Sequence, residues 1–194
     1  MGGENGTNRQ FGKWKCGSMN KIVVLYRSKY GATKKYAKWL AGDLPADLIE
    51  VKDAKIEKVA TYDTVILGGG IYASGIAGLP FLKKYYETLK DKKLIVFAVG
   101  ASPYDEAAMV ALRQRNFQGK LADVPCYYCR GAWNEDEMSW VDRILCTFLK
   151  KMVAKKDPAT YEPWEVALME AMGTNHDWTD RKYLKQIIDV ALDD

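Results

Sequence analysis

The fold of this chain is decided by residues 22–33, whose sequence is IVVLYRSKYGAT. The first half of this stretch is a run of aliphatic and β-branched residues, which predicts a buried strand over residues 22–26. The second half places Ser28, Gly31 and Thr33 in a short turn before an amphipathic helix predicted over residues 32–43. A strand that passes through such a turn into a helix is the opening unit of a parallel α/β sheet.

The alternation of short apolar runs and helical stretches continues along the 194 residues. Further strands are predicted over residues 47–51, 64–67, 94–99 and 126–129, and further helices over residues 80–89, 106–115, 138–156, 163–172 and 182–192. Right-handed crossovers place helices on both faces of such a sheet. The predicted fold class is therefore α/β, a three-layer, doubly wound architecture with a five-stranded parallel sheet and a helical insertion before the last helix.

The chain divides into a short leader and one domain. Residues 1–18 are rich in Gly, Asn and charge without any periodicity, so we expect a disordered leader there. The folded domain is expected over residues 19–194, with the helical insertion at about 134–178 because this interval is far longer than a connecting loop needs.

Composition excludes several classes of protein. With 48% hydrophobic and 28% charged residues the chain is an ordinary globular protein, and four cysteines are too few for a disulfide framework. The longest charge-free stretch, residues 64–82, contains five glycines and Pro80, which argues against a membrane-spanning helix. A net charge of +4 without any reader motif argues against nucleic-acid binding. We therefore expect a cytoplasmic protein, with peripheral contact to the inner face of the membrane as a further expectation.

Ligands of open parallel sheets bind beyond the carboxyl ends of the strands, which makes the turn after the first strand the first candidate site. The hydroxyls of Ser28 and Thr33 flank Gly31, and successive amides at a helix N-terminus can close on an anion. The candidate phosphate-binding residues are Ser28, Lys29, Tyr30, Gly31, Ala32 and Thr33. No Gly-Lys-Ser/Thr ending is present, so this is not an ATPase or GTPase loop. The alternative is a polar turn without a ligand.

Two further loops follow the third and fourth predicted strands on the same edge of the sheet. Each combines glycines, which let backbone approach a flat ligand, with one Tyr able to stack on it. The candidate residues are Gly69, Gly70, Ile71, Tyr72, Ala73 and Ser74 in one loop and Ala101, Ser102 and Tyr104 in the other. Residues 68–73 also fit a dinucleotide fingerprint, but no helix begins until about residue 80, which argues against nicotinamide cofactors. For either Tyr alone, a turn residue that shields the sheet edge remains the alternative.

The remaining reactive side chains do not form a metal site. Cys126 and Cys129 are three residues apart on a predicted strand, point to opposite faces, and have no second Cys or His pair, so we expect plain thiols. His176, the single histidine, is expected to be exposed. The sequence names no catalytic residue.

The segment 138–156 is amphipathic, with lysines on its polar side. The favoured interpretation is a helix that packs its apolar face on the sheet domain. The alternatives are a lid over the ligand and a surface for anionic lipid.

Taken together, these loops resemble the FMN site of the flavodoxin fold, and the resemblance to that fold covers residues 20–192. Residues 28–33 match the family's hydroxyl-x-x-Gly-x-Thr phosphate loop, and the other two loops stand where the family's isoalloxazine loops stand. The resemblance implies non-covalently bound FMN and electron transfer with a redox partner protein or a quinone.

Trp140-Val141-Asp142-Arg143 is similar to a segment in the branch that includes menaquinone-dependent protoporphyrinogen IX dehydrogenase. This likeness implies, as an alternative, quinone-dependent oxidation of a protoporphyrinogen-like substrate. A flavodoxin-like domain without cofactor is the other alternative. The sequence does not specify the oligomeric state.

Overall fold

The computed structural model describes residues 20–193, so the expected leader over residues 1–18 lies outside the described residues. The strands are β1 (Ile22–Arg27), β2 (Ala46–Glu50), β3 (Thr64–Tyr72), β4 (Gly75–Ile76), β5 (Lys93–Gly100), β6 (Cys126–Arg130), β7 (Ala132–Asn134) and β8 (Asn175–Asp177). The helices are α1 (Ala32–Asp43), α2 (Ile56–Val59), α3 (Leu79–Lys84), α4 (Tyr86–Leu89), α5 (Glu106–Asn116), α6 (Trp140–Val153), α7 (Pro163–Ala171) and α8 (Lys185–Leu192).

The central sheet consists of five parallel strands in the order β2-β1-β3-β5-β6. This order, with helices on both faces, confirms the predicted doubly wound α/β fold. A short antiparallel strand, β4, folds back on the end of β3. The order of the strands changes direction at β1, so the ends of β1 and its neighbour β3 form the edge where such sheets bind ligands.

Both faces of the sheet are buried, as the apolar strands predict. On β1, Val23 and Leu25 face a core that contains Leu82 from α3 and Leu112 from α5. The alternate residues of the same strand face a second core, to which α1 supplies Tyr36, Ala37 and Leu40 and α8 supplies Ile187 and Ala191. Because side chains alternate across a strand, one continuous apolar run fills both layers.

Strand β3 is longer than predicted, since it runs to Tyr72 instead of ending at residue 67. The reason is the packing of its glycines: a Cβ atom at Gly68 would lie 2.1 Å from the Phe97 ring. A Cβ atom at Gly69 would lie 2.1 Å from the Ala77 carbonyl oxygen. These positions are crowded strand residues and not an open loop, so the expected loop over residues 68–75 is reduced to the tight turn between β3 and β4.

Two predicted helices are divided in the structure. The predicted helix over residues 80–89 consists of α3 and α4, which meet at Tyr85 with φ of −108°. The predicted helix over residues 182–192 begins with a 3₁₀ turn over residues 181–184 before α8.

Pro163 is the first residue of α7, where its missing N–H costs no helical hydrogen bond.

The insertion begins and ends at a small sheet that the sequence did not predict. Strands β7 and β8 pair antiparallel, with Trp133 opposite His176. Between them lie α6 and α7, linked by a 2.5 Å ion pair between Lys156 and the buried Glu165. This two-stranded ladder pairs the first and last residues of the insertion. The chain of about forty residues between the two strands therefore leaves the parallel sheet and returns to it at the same place.

The interpretation that α6 packs its apolar face on the sheet domain is wrong. Its six largest apolar side chains outside the contact face are 44% to 74% exposed, namely Trp140, Val141, Ile144, Leu145, Phe148 and Met152. The residues turned inward are Asp142 and Val153, with Cys146 and Leu149 half-buried. The helix therefore contacts the domain through a narrow stripe and presents its wide apolar face outward.

Candidate cofactor site

Three segments with candidate residues meet at the carboxyl edge of the sheet. Residues 28–33 follow β1, the β3–β4 turn follows β3, and residues 101–105 follow β5. Strand β3 pairs in parallel with β1 on one side and with β5 on the other. The fold therefore brings all three predicted segments together on one edge.

The turn after β1 has the geometry of an anion-binding loop. Gly31 has φ of +90°, a conformation that residues with a side chain rarely adopt, and it precedes the first turn of α1. Its amide donates a hydrogen bond to Ser28 Oγ at 3.1 Å, which leaves the Ser28 hydroxyl hydrogen free to donate. The Ser28 side chain thus takes up the Gly31 amide within the turn.

The first amides of α1 remain available to a ligand. Among residues 20–193, no acceptor lies within hydrogen-bond range of the amides of Ala32, Thr33 and Lys34. The first helical amide that has a partner is that of Lys35, which donates to the Gly31 carbonyl at 2.9 Å. A helix N-terminus with free amides carries partial positive charge and favours a bound anion.

The Thr33 side chain connects this loop to β3. It is almost completely buried, yet its hydroxyl has no hydrogen-bond partner among the described residues. A Cβ atom at Gly70 would lie 3.6 Å from Thr33 Oγ1, so the hydroxyl lies beside the β3 backbone. Since the Thr33 oxygen is not among the fully buried side-chain atoms that lack a partner, the hydroxyl keeps access to solvent and is free to donate to a ligand.

The β3–β4 turn holds two residues in a strained conformation. Ala73 and Ser74 have φ of 47° and 61°, although neither is a glycine. Asn116, buried at the end of α5, donates from its amide nitrogen to the Ser74 carbonyl at 2.8 Å. Such strain persists only where the surroundings impose it, and it is common at ligand-binding loops. The turn leaves the ring of Tyr72 exposed beside the phosphate loop.

The predicted candidates of this segment separate into two groups. Gly69 is a packing residue, because the Ala77 carbonyl occupies the space where a side chain would stand. Gly70 and Ile71 continue the strand, and Ile71 pairs with Ile76 of β4. Tyr72 and the strained turn are exposed at this edge, and Ile71 lines the cleft beside them.

Two side chains of β6 hold the backbone of the segment after β5 in place. The Ala101 carbonyl accepts a hydrogen bond from Arg130 Nε at 3.1 Å, and the Ser102 carbonyl accepts one from the Tyr128 hydroxyl. The exposed ring of Tyr104 meets the ring of Tyr128 edge-on, with 6.1 Å between centroids. The loop therefore presents one exposed aromatic ring from a backbone that β6 holds in place.

Asp142 of α6 joins the site, although the sequence identified it only as part of a segment of resemblance. This carboxylate is 4% exposed and accepts hydrogen bonds from the Lys29 ammonium at 2.5 Å and the Tyr72 hydroxyl at 2.8 Å. The Tyr30 hydroxyl also donates to it and in turn accepts from the Ser139 amide at 3.3 Å. One side chain of the insertion thus connects the phosphate loop to the β3–β4 turn.

The hydrogen bonds that Asp142 accepts determine the protonation state of its carboxyl group. Burial opposes ionisation of Asp142, but the hydrogen bonds from the three donors outweigh burial and lower its pKa to about 2. The same ion pair raises the pKa of Lys29. Both groups are therefore charged at neutral pH, and the cationic head of Lys29 lies 4.9 Å from the centroid of the Tyr72 ring.

A cleft of about 1090 Å³ opens beside the second and third segments. Its wall is formed by the β3–β4 turn, the loop after β5, helix α5 and the start of α7. The residues that line it include Ile71, Ser74, Ser102, Pro103, Arg115 and Trp164. A volume of this order can hold an organic molecule in addition to a ring lying on the loops.

The cysteines and the histidine have ordinary structural environments. Cys126 and Cys129 are free thiols on β6, and burial raises the pKa of Cys126 to about 12 and that of Cys129 still further. His176 is exposed on β8 and stacks on Trp178 with 4.8 Å between ring centroids. Within residues 20–193, no three His, Cys, Asp or Glu side chains are arranged to hold a metal ion.

The structure is that of a doubly wound α/β protein whose sheet edge carries a glycine turn and a helix N-terminus with free amides. A family profile described as the flavodoxin domain matches residues 23–160. The chain therefore belongs to the flavodoxin-domain family. This membership confirms the family expected from the sequence and supports FMN as the cofactor.

Solved structures with a similar fold include flavodoxins and other flavoproteins. The flavodoxin of Megasphaera elsdenii is 23% identical, with 55% of this chain and 84% of that chain covered and a TM-score of 0.44. The Trp repressor binding protein of Bacillus subtilis is 21% identical, with 57% and 84% covered and a TM-score of 0.44. A Lactobacillus acidophilus flavoprotein in complex with FMN is 17% identical, with 57% and 92% covered and a TM-score of 0.38. No curated protein matches the sequence.

Proposed function

We propose that this protein is an FMN-dependent oxidoreductase that transfers electrons through non-covalently bound FMN. The observation that carries the proposal is the loop after β1, where the amides of residues 32–34 and the Thr33 hydroxyl lie close together and have no hydrogen-bond partner among the described residues. These are neutral donors suited to a single phosphate, and they begin the edge on which the other two predicted segments meet.

The residues present fit both ends of FMN. Ser28, Thr33 and the amides of residues 32–34 would hold the phosphate, while the exposed rings of Tyr72 and Tyr104 would contact the isoalloxazine. When bound, FMN supplies one- and two-electron redox chemistry, and the protein supplies position and electrostatics. Lys29 places a positive charge beside this site, held in place by Asp142.

A second candidate function is the oxidation of a bound organic substrate, as opposed to electron transfer between proteins. The observation that favours it is the cleft lined by the β3–β4 turn, the loop after β5 and Trp164, which adjoins the predicted isoalloxazine segments. Quinone-dependent dehydrogenation of a protoporphyrinogen-like substrate is the form of this function that the sequence resemblance implies. In this case the redox partner is a quinone, and in the carrier case it is a protein.

The proposal is tested by FMN titration of the purified, full-length protein and of the variant Thr33→Val. Wild-type protein is expected to bind FMN and become yellow. Valine keeps the size of the side chain but removes a hydrogen bond to a charged group, so FMN affinity should fall about 10- to 150-fold. Thr61→Val, which removes an exposed hydroxyl far along the chain, is the matched control.

Unchanged FMN affinity in Thr33→Val would contradict the phosphate assignment. A protein that stays colourless and takes up no added FMN would support the cofactor-free domain instead. Between the two redox functions, rapid reoxidation of the reduced protein by menaquinone analogues favours the enzyme. Reoxidation only by partner proteins favours the carrier.

A further inference from the structure

The outward surface of α6 is the largest apolar feature that the described residues leave exposed. Six of the twelve large apolar side chains exposed among residues 20–193 belong to this one helix. They form two adjacent rows at four-residue spacing along the helix, Trp140-Ile144-Phe148-Met152 and Val141-Leu145. An apolar stripe of this size on a folded domain indicates an interaction surface.

The helix is anchored, so this exposure is a feature of the folded state. Its opposite side carries Asp142, which bonds to Lys29 and Tyr72, and Val153, which is buried. The N-terminus is capped by Ser139, whose Oγ accepts a hydrogen bond from the Asp142 amide at 3.3 Å. The outward face is therefore held in position and remains uncovered by the rest of the described chain.

Apart from the inward-facing Asp142, the charges on α6 itself have one sign, although the exposed Asp136 and Glu137 precede the helix. Asp142 is the sole carboxylate of α6, and it is turned inward and paired with Lys29. Lys151 lies beside the Trp140 row, Arg143 and Lys150 lie along the same flank of the helix, and Lys155 follows Met152. A basic flank beside an apolar stripe complements an anionic surface with an apolar interior, which is the character of a membrane containing acidic lipids.

We propose that α6 is a membrane-docking helix that lies in the headgroup region of an anionic bilayer. Its 14 residues are too few to cross a bilayer, and no helix in the described part of the chain is long and apolar enough to do so. A second copy of the chain is a less suitable occupant, because pairing two such faces would bring their basic flanks together.

Docking would also orient the cofactor site. Asp142 fixes the N-terminal turn of α6 to the phosphate loop and to Tyr72, so the docked helix would hold the site close to the lipid surface. This step rests on the proposed function, and it gives a lipid-soluble quinone a short path to the flavin. The docking itself does not depend on FMN.

The test is cosedimentation of the full-length protein with phosphatidylcholine vesicles, with and without phosphatidylglycerol. We expect binding to the vesicles that contain phosphatidylglycerol, weakened by added salt. Phe148→Glu should lower the partition coefficient at least about tenfold, because it removes a large apolar contact and adds a negative charge. Lys150→Glu combined with Lys151→Glu should lower it about thirtyfold or more.

Matched controls come from other helices of the same protein. Val110→Glu changes an exposed apolar residue of α5, and the pair Lys83→Glu with Lys84→Glu changes two exposed lysines of α3. These variants should bind vesicles nearly as the wild type does. Circular dichroism verifies that each variant is folded, so lost binding is not lost structure.

Three results would overturn the proposal. These are no binding to either vesicle, equal binding to both vesicles, and binding that the α6 variants leave unchanged. A concentration-dependent dimer that Phe148→Glu abolishes, without vesicle binding, would assign the face to a second copy. Measuring FMN-loaded and FMN-free protein separates this proposal from the proposed function, since docking should persist when FMN does not bind.

Discussion

Regular apolar periodicity leads to burial in the sheet domain of this protein and to exposure in its helical insertion. In the sheet domain, apolar periodicity leads to burial: Val23 and Leu25 of β1 and Leu40 of α1 are fully inaccessible. In the insertion, an equally regular apolar pattern on α6 remains facing outward. The comparison teaches that periodicity identifies which residues share a face, while the surroundings determine what that face contacts.

The two regions differ in how much apolar surface each one provides for helices to pack against. A parallel sheet has two apolar faces, and the helices that connect its strands must return across them. The insertion leaves and returns through the β7–β8 ladder, and α6 contacts the domain along the narrow stripe that begins at Asp142. The insertion therefore depends on a few polar contacts and a small set of buried apolar residues, Val153, Leu168 and Ala171, whereas the sheet depends on a continuous core.

The largest expected effect contrasts two phenylalanines. Phe97→Ala removes a fully buried ring from β5 and should lower the free energy of unfolding by about 3–5 kcal/mol. Phe148→Ala removes a ring that is 60% exposed on α6, so the change should stay within about 0.5 kcal/mol. Urea unfolding of the two variants measures both values.

Unfolding of these two variants directly tests whether the face of α6 is less buried than β5. If Phe148→Ala costs as much as Phe97→Ala, the face of α6 is buried in solution and the two regions do not differ. The m-value of each transition should match that of the wild type, which shows that the unfolded states are comparable.

A smaller effect concerns the contact between the two regions, the Asp142 carboxylate. Its pKa in the folded protein is about 2, below the ordinary 3.8, so its charge stabilises the fold at pH values above about 4. This stabilisation is lost as the pH falls from about 4 towards 2. Since Lys29 is 54% exposed and solvent screens the pair, Asp142→Asn should cost about 1–2 kcal/mol at neutral pH.

The measurement is urea unfolding of wild type and Asp142→Asn across acidic pH. The difference between the two proteins should be largest above pH 4 and should approach zero near pH 2. Asp177, whose pKa is also about 2 and which pairs with Lys35, titrates alike in both proteins and cancels. A difference that does not change with pH would show that the Asp142 charge has no role in anchoring α6.

The smallest effect sharpens the comparison within the sheet domain, at the strained β3–β4 turn. Replacing Ala73-Ser74 by Asn-Gly supplies the residues that tolerate positive φ in two-residue hairpins. The free energy of unfolding should rise by about 1 kcal/mol as local strain is relieved. Ala60→Gly, at a position with φ of −65°, is the control and should not stabilise. A lower stability of the Asn-Gly variant would show that the turn is not strained.

The sequence was sufficient for most of the sheet domain. Buried strands and a glycine-containing turn are local patterns, so the five parallel strands and the loop after β1 were predicted close to their observed places. The extension of β3 was not predictable, because Gly68 packs against Phe97 of β5, which is distant in sequence, and Gly69 packs against the Ala77 backbone that the β3–β4 hairpin folds back on it. The β7–β8 ladder was missed for a similar reason, since strands of three residues carry little periodicity.

The candidate site was predicted in part. Tyr72 and the phosphate loop were identified from turn chemistry, but the interactions of Asn116 and Asp142 with them were not. Asn116 reaches Ser74 over 42 residues, and Asp142 reaches Lys29 over 113 residues. The one available signal for Asp142 was a lone carboxylate in a helix that otherwise carries only basic charges.

The sequence by itself determined the class of fold and the position of the glycine turn between β1 and α1, because both depend on neighbours along the chain: apolar runs, a glycine in the turn and the start of a helix. Only the tertiary structure decided that Asp142 connects the insertion to the site and that α6 leaves its apolar face uncovered. Burial and ion pairing depend on residues that are distant in sequence, and a local pattern does not specify which of these residues will be in contact.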